Sequence, residues 1–92
     1  MVKYIKSDIE YDYPVYTNTV FMHEAGTVKV ELYKWDDDDY EVDVEAPTIN
    51  KTDYVMNILK DCRNLFWNAE SYDEGVRYVD NIVDFLESVD NN

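Results

Sequence analysis

Apolar and polar residues alternate with a period of two in the middle of the chain, and this alternation predicts β-strands. Within residues 27–35, Val28, Val30 and Leu32 alternate with Lys29 and Glu31. Over residues 40–46, every second residue is again apolar, and the residues between them are acidic. Because strand side chains point alternately to two faces, each segment is expected to bury one face and expose the other.

A third strand is predicted upstream, over residues 15–23, which are rich in Tyr, Thr, Val and Phe. Gly26 can take a positive φ in the short loop that follows, and the four aspartates at 36–39 favour a second loop. The three strands therefore form an antiparallel meander over residues 15–46. Residues 1–14 are expected to be extended or irregular, since Pro14 blocks a helix there.

The chain after Pro47 changes to an apolar spacing of three and four, which predicts helices. A first amphipathic helix is expected over residues 51–69, with Asn50 as a candidate N-cap. Ser71 followed by Glu74 is a capping box, and it predicts a second helix that ends near residue 89. The short joint at residues 69–70 would make the two helices a hairpin. The prediction is an α+β fold, with a three-stranded antiparallel β-meander and a helical hairpin packed on one of its faces.

Length and charge narrow the function. Ninety-two residues correspond to one domain, 1–92, with residues 51–89 as its helical part. Eight Lys and Arg against 21 Asp and Glu give a net charge of −13. Direct binding to nucleic acid or to an anionic membrane is therefore not expected, because phosphate contacts need a surplus of basic residues. The 46% hydrophobic content still predicts a folded domain.

Candidate chemistry is sparse. Cys62 is the single cysteine, so no internal disulfide is possible, and a reducing cytoplasm is the expected location. Neither a targeting segment nor a membrane span is predicted. Cys62 on an apolar stripe and the lone His23 suggest no catalytic pair, so the chain is not expected to be an enzyme. The aspartate loop lacks the glycine of an EF-hand and has Pro47 at its twelfth position, so neither a metal nor a cofactor is expected.

The acidic residues themselves form a pattern. Seven of the ten residues over 36–45 are acidic, and Glu41, Asp43 and Glu45 would share one strand face with a repeat of about 6.6–6.8 Å. Two phosphate steps of one DNA strand advance by a similar distance, about 3.4 Å each. Such a row could occupy arginine and lysine sites built for phosphate. Equally, the outer face of a half-buried strand is polar in any soluble protein.

Residues 64–80, which follow the meander, resemble the small acidic anti-CRISPR proteins of phages that inhibit the type II RNA-guided DNA nuclease. In that family a Trp-Asn pair closes one helix and an acidic Asp-Glu turn opens the next. The matching residues here are Trp67, Asn68, Glu70, Asp73, Glu74, Tyr78 and Asp80. The chain departs from the family in its extended N-terminal stretch and in Gly75 and Arg77, which stand where the family has further acids.

The resemblance implies a DNA mimic that blocks the DNA- and PAM-binding channel of a CRISPR effector nuclease in the host cytoplasm. By position, Asp73 and Glu74 would face the arginines of the nuclease, with Glu70 beside them. The predicted partner-binding residues are Asp37, Asp38, Asp39, Glu41, Asp43, Glu45, Glu70, Asp73 and Glu74.

Three alternatives stay open for these acids. Asp73 and Glu74 also fit the first turn of any helix, where the macrodipole favours negative charge. The same surface would suit an immunity or antitoxin protein that blocks a basic nuclease. A structural domain whose acidity serves only solubility is the third possibility.

Overall fold

A computed structural model of the chain describes residues 13–62 and 65–91. The fold is α+β, as predicted, but the sheet has four antiparallel strands in the order β1-β2-β3-β4. The elements in chain order are β1 (Tyr16–Met22), β2 (Gly26–Asp36), β3 (Asp39–Glu45), α1 (Ile49–Leu59), β4 (Asn68–Ala69) and α2 (Tyr72–Asp90). No helix in these described ranges is long and apolar enough to cross a bilayer.

The predicted meander is confirmed. In the β1–β2 pair Val20 lies opposite Val28, and in the β2–β3 pair Val30 lies opposite Val44, so one face of the sheet is apolar. Gly26 has a φ of +77°, which lets the chain turn sharply into β2. This inner face and both helices enclose a single hydrophobic core. Its fully buried members include Met22, Val28, Val30, Leu32, Val42, Val55, Leu59, Val79, Ile82 and Leu86.

Helix α2 packs on the inner face of the sheet, and side-chain hydrogen bonds link it to β1. Tyr16 Oη and Asn18 Nδ2 both donate to Asp80 Oδ1, at 2.7 and 3.0 Å. At the other end of the strand, the His23 N–H donates to Asp90 Oδ1 at 2.9 Å. These bonds place α2 parallel to β1, with its N-terminus at the end of the sheet where β2 stops.

A β-bulge interrupts the hairpin of β2 and β3 near its turn. Lys34 pairs with Tyr40 but Asp36 pairs with Asp39, so the register shifts by one residue at Trp35. A bulge of this kind bends the strand locally. Trp35 is half-buried, and its Nε1 donates to Glu41 Oε1 at 2.8 Å on the outer face of the sheet.

The predicted first helix is wrong at both ends. It starts at Ile49, because Thr48 rather than Asn50 is the N-cap and accepts the Lys51 N–H. It ends at Leu59, ten residues before the predicted end at 69. Residues 65–67 are not helical and residues 68–69 form β4, and the Val42 N–H of β3 donates to the Trp67 carbonyl at 2.7 Å.

Helix α1 ends early because the backbone N–H and C=O groups along the outer edge of β3 need hydrogen-bond partners. Trp67, Asn68 and Ala69 supply such partners, and Leu65 and Trp67 still pack against the core. The predicted helical hairpin with its joint at 69–70 is therefore wrong: residues 60–71, including β4, separate the helices. Residues 1–12 of the predicted irregular segment lie outside the described residues, while the second helix and its Ser71 cap are confirmed.

Gly75 is required by close packing between α2 and the sheet. A Cβ at this position would lie 2.5 Å from Leu32 Cδ1 and 2.6 Å from Leu32 Cδ2. Glycine inside a helix normally costs about 1 kcal/mol relative to alanine. Here that cost is outweighed, because a side-chain carbon at residue 75 would overlap the fully buried Leu32 side chain.

We expect G75A to lower the free energy of unfolding by about 1–3 kcal/mol, although alanine is the better helix former. Urea denaturation monitored by circular dichroism measures this change. The matched control is N81A on the exposed face of the same helix, which should leave stability unchanged or raise it slightly. A G75A protein as stable as N81A would contradict the proposed packing constraint.

Candidate acidic binding surface

Two acidic segments that are far apart in the sequence meet at one end of the sheet. The β2–β3 turn carries the aspartates at 36–39. Tyr40 pairs with Ala69 in the antiparallel β3–β4 ladder, so Asp39 and Glu70 leave the ladder at the same end. Helix α2 starts immediately after Glu70, with Asp73 in its first turn. We call this surface the acidic end; its members are Asp36, Asp37, Asp38, Asp39, Glu70, Asp73 and Glu74.

The acidic end is exposed, and its seven acids are accompanied by two basic side chains, Lys34 and Arg77. All of its members except Glu74 are exposed, and the Asp37 side chain is 97% accessible. Lys34 Nζ lies 3.5 Å from Asp37 Oδ1, but an exposed pair of this kind contributes about 0–1 kcal/mol. The positive end of the α2 dipole favours acids in the first turn and so stabilises Asp73 and Glu74 where they stand.

Glu74 organises the start of α2. Its N–H donates to Ser71 Oγ at 3.1 Å, and its carboxylate accepts the Glu70 N–H and the Tyr78 hydroxyl, each at 2.8 Å. These hydrogen bonds, that of Glu70 foremost, lower the pKa of the Glu74 carboxyl. The bond to Glu74 in turn raises the pKa of Tyr78. Among the α2 acids of this surface, Asp73 therefore presents the more accessible carboxylate, and Glu74 has a capping role.

The strand acids point elsewhere. Glu41, Asp43 and Glu45 share the outer face of the sheet, as their alternation with buried Tyr40, Val42 and Val44 requires. Glu41 and Asp43 are half-buried, and the Glu41 carboxylate accepts the Trp35 indole N–H. The structure thus brings residues 37–39 together with 70, 73 and 74. It places the row 41, 43 and 45 on an adjoining face.

Glu31 is a feature that the sequence pattern did not reveal. Its place in the alternation predicts exposure, yet Glu31 is only 8% exposed. Its neighbours on the two adjoining strands are Thr17 and Asp43. The Tyr33 hydroxyl donates to Glu31 Oε1 at 3.1 Å. Desolvation by burial raises the pKa of Glu31, and the carboxylates of Glu45 and Asp43 add to this effect. Burial likewise raises the pKa of Tyr33.

The lone cysteine and the lone histidine of the chain lie in different settings. Burial raises the pKa of the Cys62 thiol, which disfavours the reactive thiolate. His23 is largely exposed, and its Nδ1 lies 3.0 Å from Asp90 Oδ2. Across residues 13–62 and 65–91, no three His, Cys, Asp or Glu side chains are grouped to hold a metal ion. What the acidic end can do chemically is bind cationic groups through charge-assisted hydrogen bonds.

We expect E31Q to stabilise the protein at pH 7 by about 1 kcal/mol, because a buried charge is replaced by an amide that still accepts the Tyr33 hydroxyl. The sign follows from linkage: a carboxyl whose pKa is raised by folding favours the folded state fully only below its unfolded pKa. That contribution is lost as the pH rises through the folded pKa. The gain from E31Q should therefore shrink toward zero near pH 3.

Denaturant titrations at pH 3 and pH 7 test this expectation. D84N on the exposed face of α2 is the control, since Asp84 is not among the charges that act on Glu31 and its substitution should change stability little at either pH. A gain from E31Q that is the same at both pH values would refute the role given to Glu31 ionisation.

Comparison with known proteins adds no family assignment to this geometry. No protein-family model matches the chain, and neither the curated proteins nor the solved structures give a significant match. What the chain binds therefore has to be inferred from its own residues.

Proposed function

We propose that this protein is a stoichiometric inhibitor that binds a basic nucleic-acid-binding protein through its acidic end, in the manner of a DNA mimic. The target class that we favour is a CRISPR effector nuclease, whose DNA- and PAM-binding channel would be blocked. The observation that carries the proposal is the convergence of residues 36–39 and residues 70–74 at one end of a single sheet.

The convergence matters because of preorganisation. The acids at this end are attached to a hairpin turn, a strand end and a capped helix start, so little conformational entropy is lost when they meet a rigid partner. Each carboxylate can accept charge-assisted hydrogen bonds from Arg or Lys. The net charge of −13 adds long-range steering toward a basic channel, an effect that weakens as salt rises.

In this proposal the contact extends along the outer face of the sheet. Glu41, Asp43 and Glu45 follow one another along β3 from the acidic end, with a strand repeat of about 6.6–6.8 Å. A partner channel that tracks a phosphate backbone could follow the same direction. In this proposal Asp37, Asp38, Asp39, Glu70 and Asp73 make the main contact, and the strand acids are a supporting patch.

The choice of target draws on the resemblance of residues 64–80 to phage anti-CRISPR proteins. In this chain Asn68 begins β4 and Trp67 precedes it, so neither residue lies at a helix end. The part of the resemblance that supports the proposal is therefore the acidic first turn of α2, with exposed Asp73.

Capture experiments test the function directly. The tagged protein is incubated with purified, guide-loaded type II and type I CRISPR effectors, with and without excess PAM-containing duplex. We expect an effector to be captured, the duplex to abolish capture, and DNA cleavage to stop at about one inhibitor per effector. Capture that is indifferent to duplex would contradict DNA mimicry. Capture of neither effector would overturn the target assignment and direct the search to basic nuclease toxins.

A charge-matched pair of variants tests the surface. D37N/D38N/D39N removes three charges from the acidic end, whereas D53N/D84N/E87Q removes three from exposed positions on the two helices. We expect the first variant to weaken binding to the captured effector by at least about tenfold, and the second by less than about threefold. Equal losses would show that only the net charge matters and would contradict an interface at the acidic end.

A further inference from the structure

We infer that the cavity beside the β2–β3 bulge is a binding site for an arginine side chain of the partner. This inference rests on the proposed function and specifies the chemistry of the contact. The cavity has a volume of about 350 Å³ and is open to solvent at the acidic end. Its lining residues are Tyr13, Val15, Lys34, Trp35, Asp36 and Asp37. This size lies within the range of about 300–1,000 Å³ that is usual for ligand pockets.

The cavity has an aromatic side chain at the bulge. Trp35, at the register shift of β2, is one of the residues that line this space. Its Nε1 donates to Glu41 at 2.8 Å, which fixes the ring in one orientation. Tyr13, which is 80% exposed, contributes a second ring. Indole and phenol faces attract cations through their quadrupoles, by about 0.5–2 kcal/mol for each contact.

The charge in the cavity comes from two adjacent aspartates. Asp36 Oδ1 accepts the Asp37 N–H at 2.8 Å, which orients the Asp36 carboxylate. A carboxylate has about four acceptor positions, so this bond leaves capacity for a ligand. Lys34 Nζ already lies 3.5 Å from Asp37 Oδ1, which shows that a cationic nitrogen fits beside these carboxylates. Because that pair is exposed and weak, an incoming cation can displace the lysine.

Arginine fits this combination better than lysine does. Guanidinium is planar, so it can stack on an aromatic ring while its edge donates two parallel hydrogen bonds to a carboxylate. It is also less strongly hydrated than an ammonium group, so it loses less on entering a half-enclosed space. A lysine ammonium can pair with the aspartates, but it has no planar group that stacks on an aromatic ring while it donates two parallel hydrogen bonds to a carboxylate. The site should therefore discriminate between the two basic side chains.

The test uses the full chain with W67F, which leaves Trp35 as the single tryptophan. Hexa-arginine and hexa-lysine peptides, which carry the same charge, are titrated at one ionic strength while Trp35 fluorescence is recorded. We expect hexa-arginine to bind at least about fivefold more tightly and to change the Trp35 emission. Equal affinities for the two peptides, or no binding of either, would overturn the inference.

Two variants with the same loss of charge locate the site. D36N/D37N should abolish the preference for arginine, whereas D84N/E87Q on the exposed face of α2 should retain it. Thermal melting of both variants verifies that they are folded. A loss of the preference in D84N/E87Q as large as in D36N/D37N would show that general charge is responsible, and the cavity assignment would fail.

The outcome is separable from that of the proposed function. A captured effector together with equal binding of the two peptides would retain the acidic inhibitor and reject the arginine site. An arginine preference that depends on residues 36 and 37, without capture of any basic nucleic-acid-binding protein, would retain the site and reject the inhibitor.

Discussion

The packing of α2 against the inner face of the sheet is the interaction on which the other features depend. Gly75 allows the helix to approach Leu32 closely. Asp80 accepts hydrogen bonds from β1, and Asp90 accepts one from His23, which follows that strand. This packing buries Val79, Ile82, Val83 and Leu86, which are the main apolar contribution of the C-terminal half. It also fixes where the N-terminus of α2 lies, and therefore where Asp73 and Glu74 stand.

A chain with a net charge of −13 must keep its like charges from destabilising the compact state. Several acids here are used as acceptors within the fold. Asp80 accepts from Tyr16 and Asn18, Glu74 accepts from Glu70 and Tyr78, and Asp90 accepts from His23. The acids of the acidic end are arranged differently, since most are exposed at a turn and at a helix start. Concentrating them there gives a strong local field, which is the physical basis of the proposed binding of a basic partner.

Two small irregularities shape that surface. The short strand β4 brings Glu70 and the start of α2 beside the β2–β3 turn, and Trp35 at the bulge lines the cavity next to the same turn. Two directly joined helices would not have placed Glu70 there. The combined effect of β4 and the bulge is a surface that joins carboxylates with aromatic rings, the two groups that recognise guanidinium.

The sequence by itself determined the elements whose signals are local. Alternation over residues 27–35 and 40–46 specified two strands and their inner faces, and Ser71 with Glu74 specified the start of α2, because side-chain direction and capping depend on near neighbours. Only the tertiary structure decided what depends on distant partners. The apolar residues over 60–69 have a helical spacing, but Asn68 and Ala69 pair with the edge of β3 and form a strand. Alternation predicts that Glu31 is exposed, but the neighbouring residues bury it. The acids predicted to bind a partner lie on two surfaces, the acidic end and the outer face. Such outcomes follow from non-local hydrogen bonding and burial, which the order of residues along one segment does not encode.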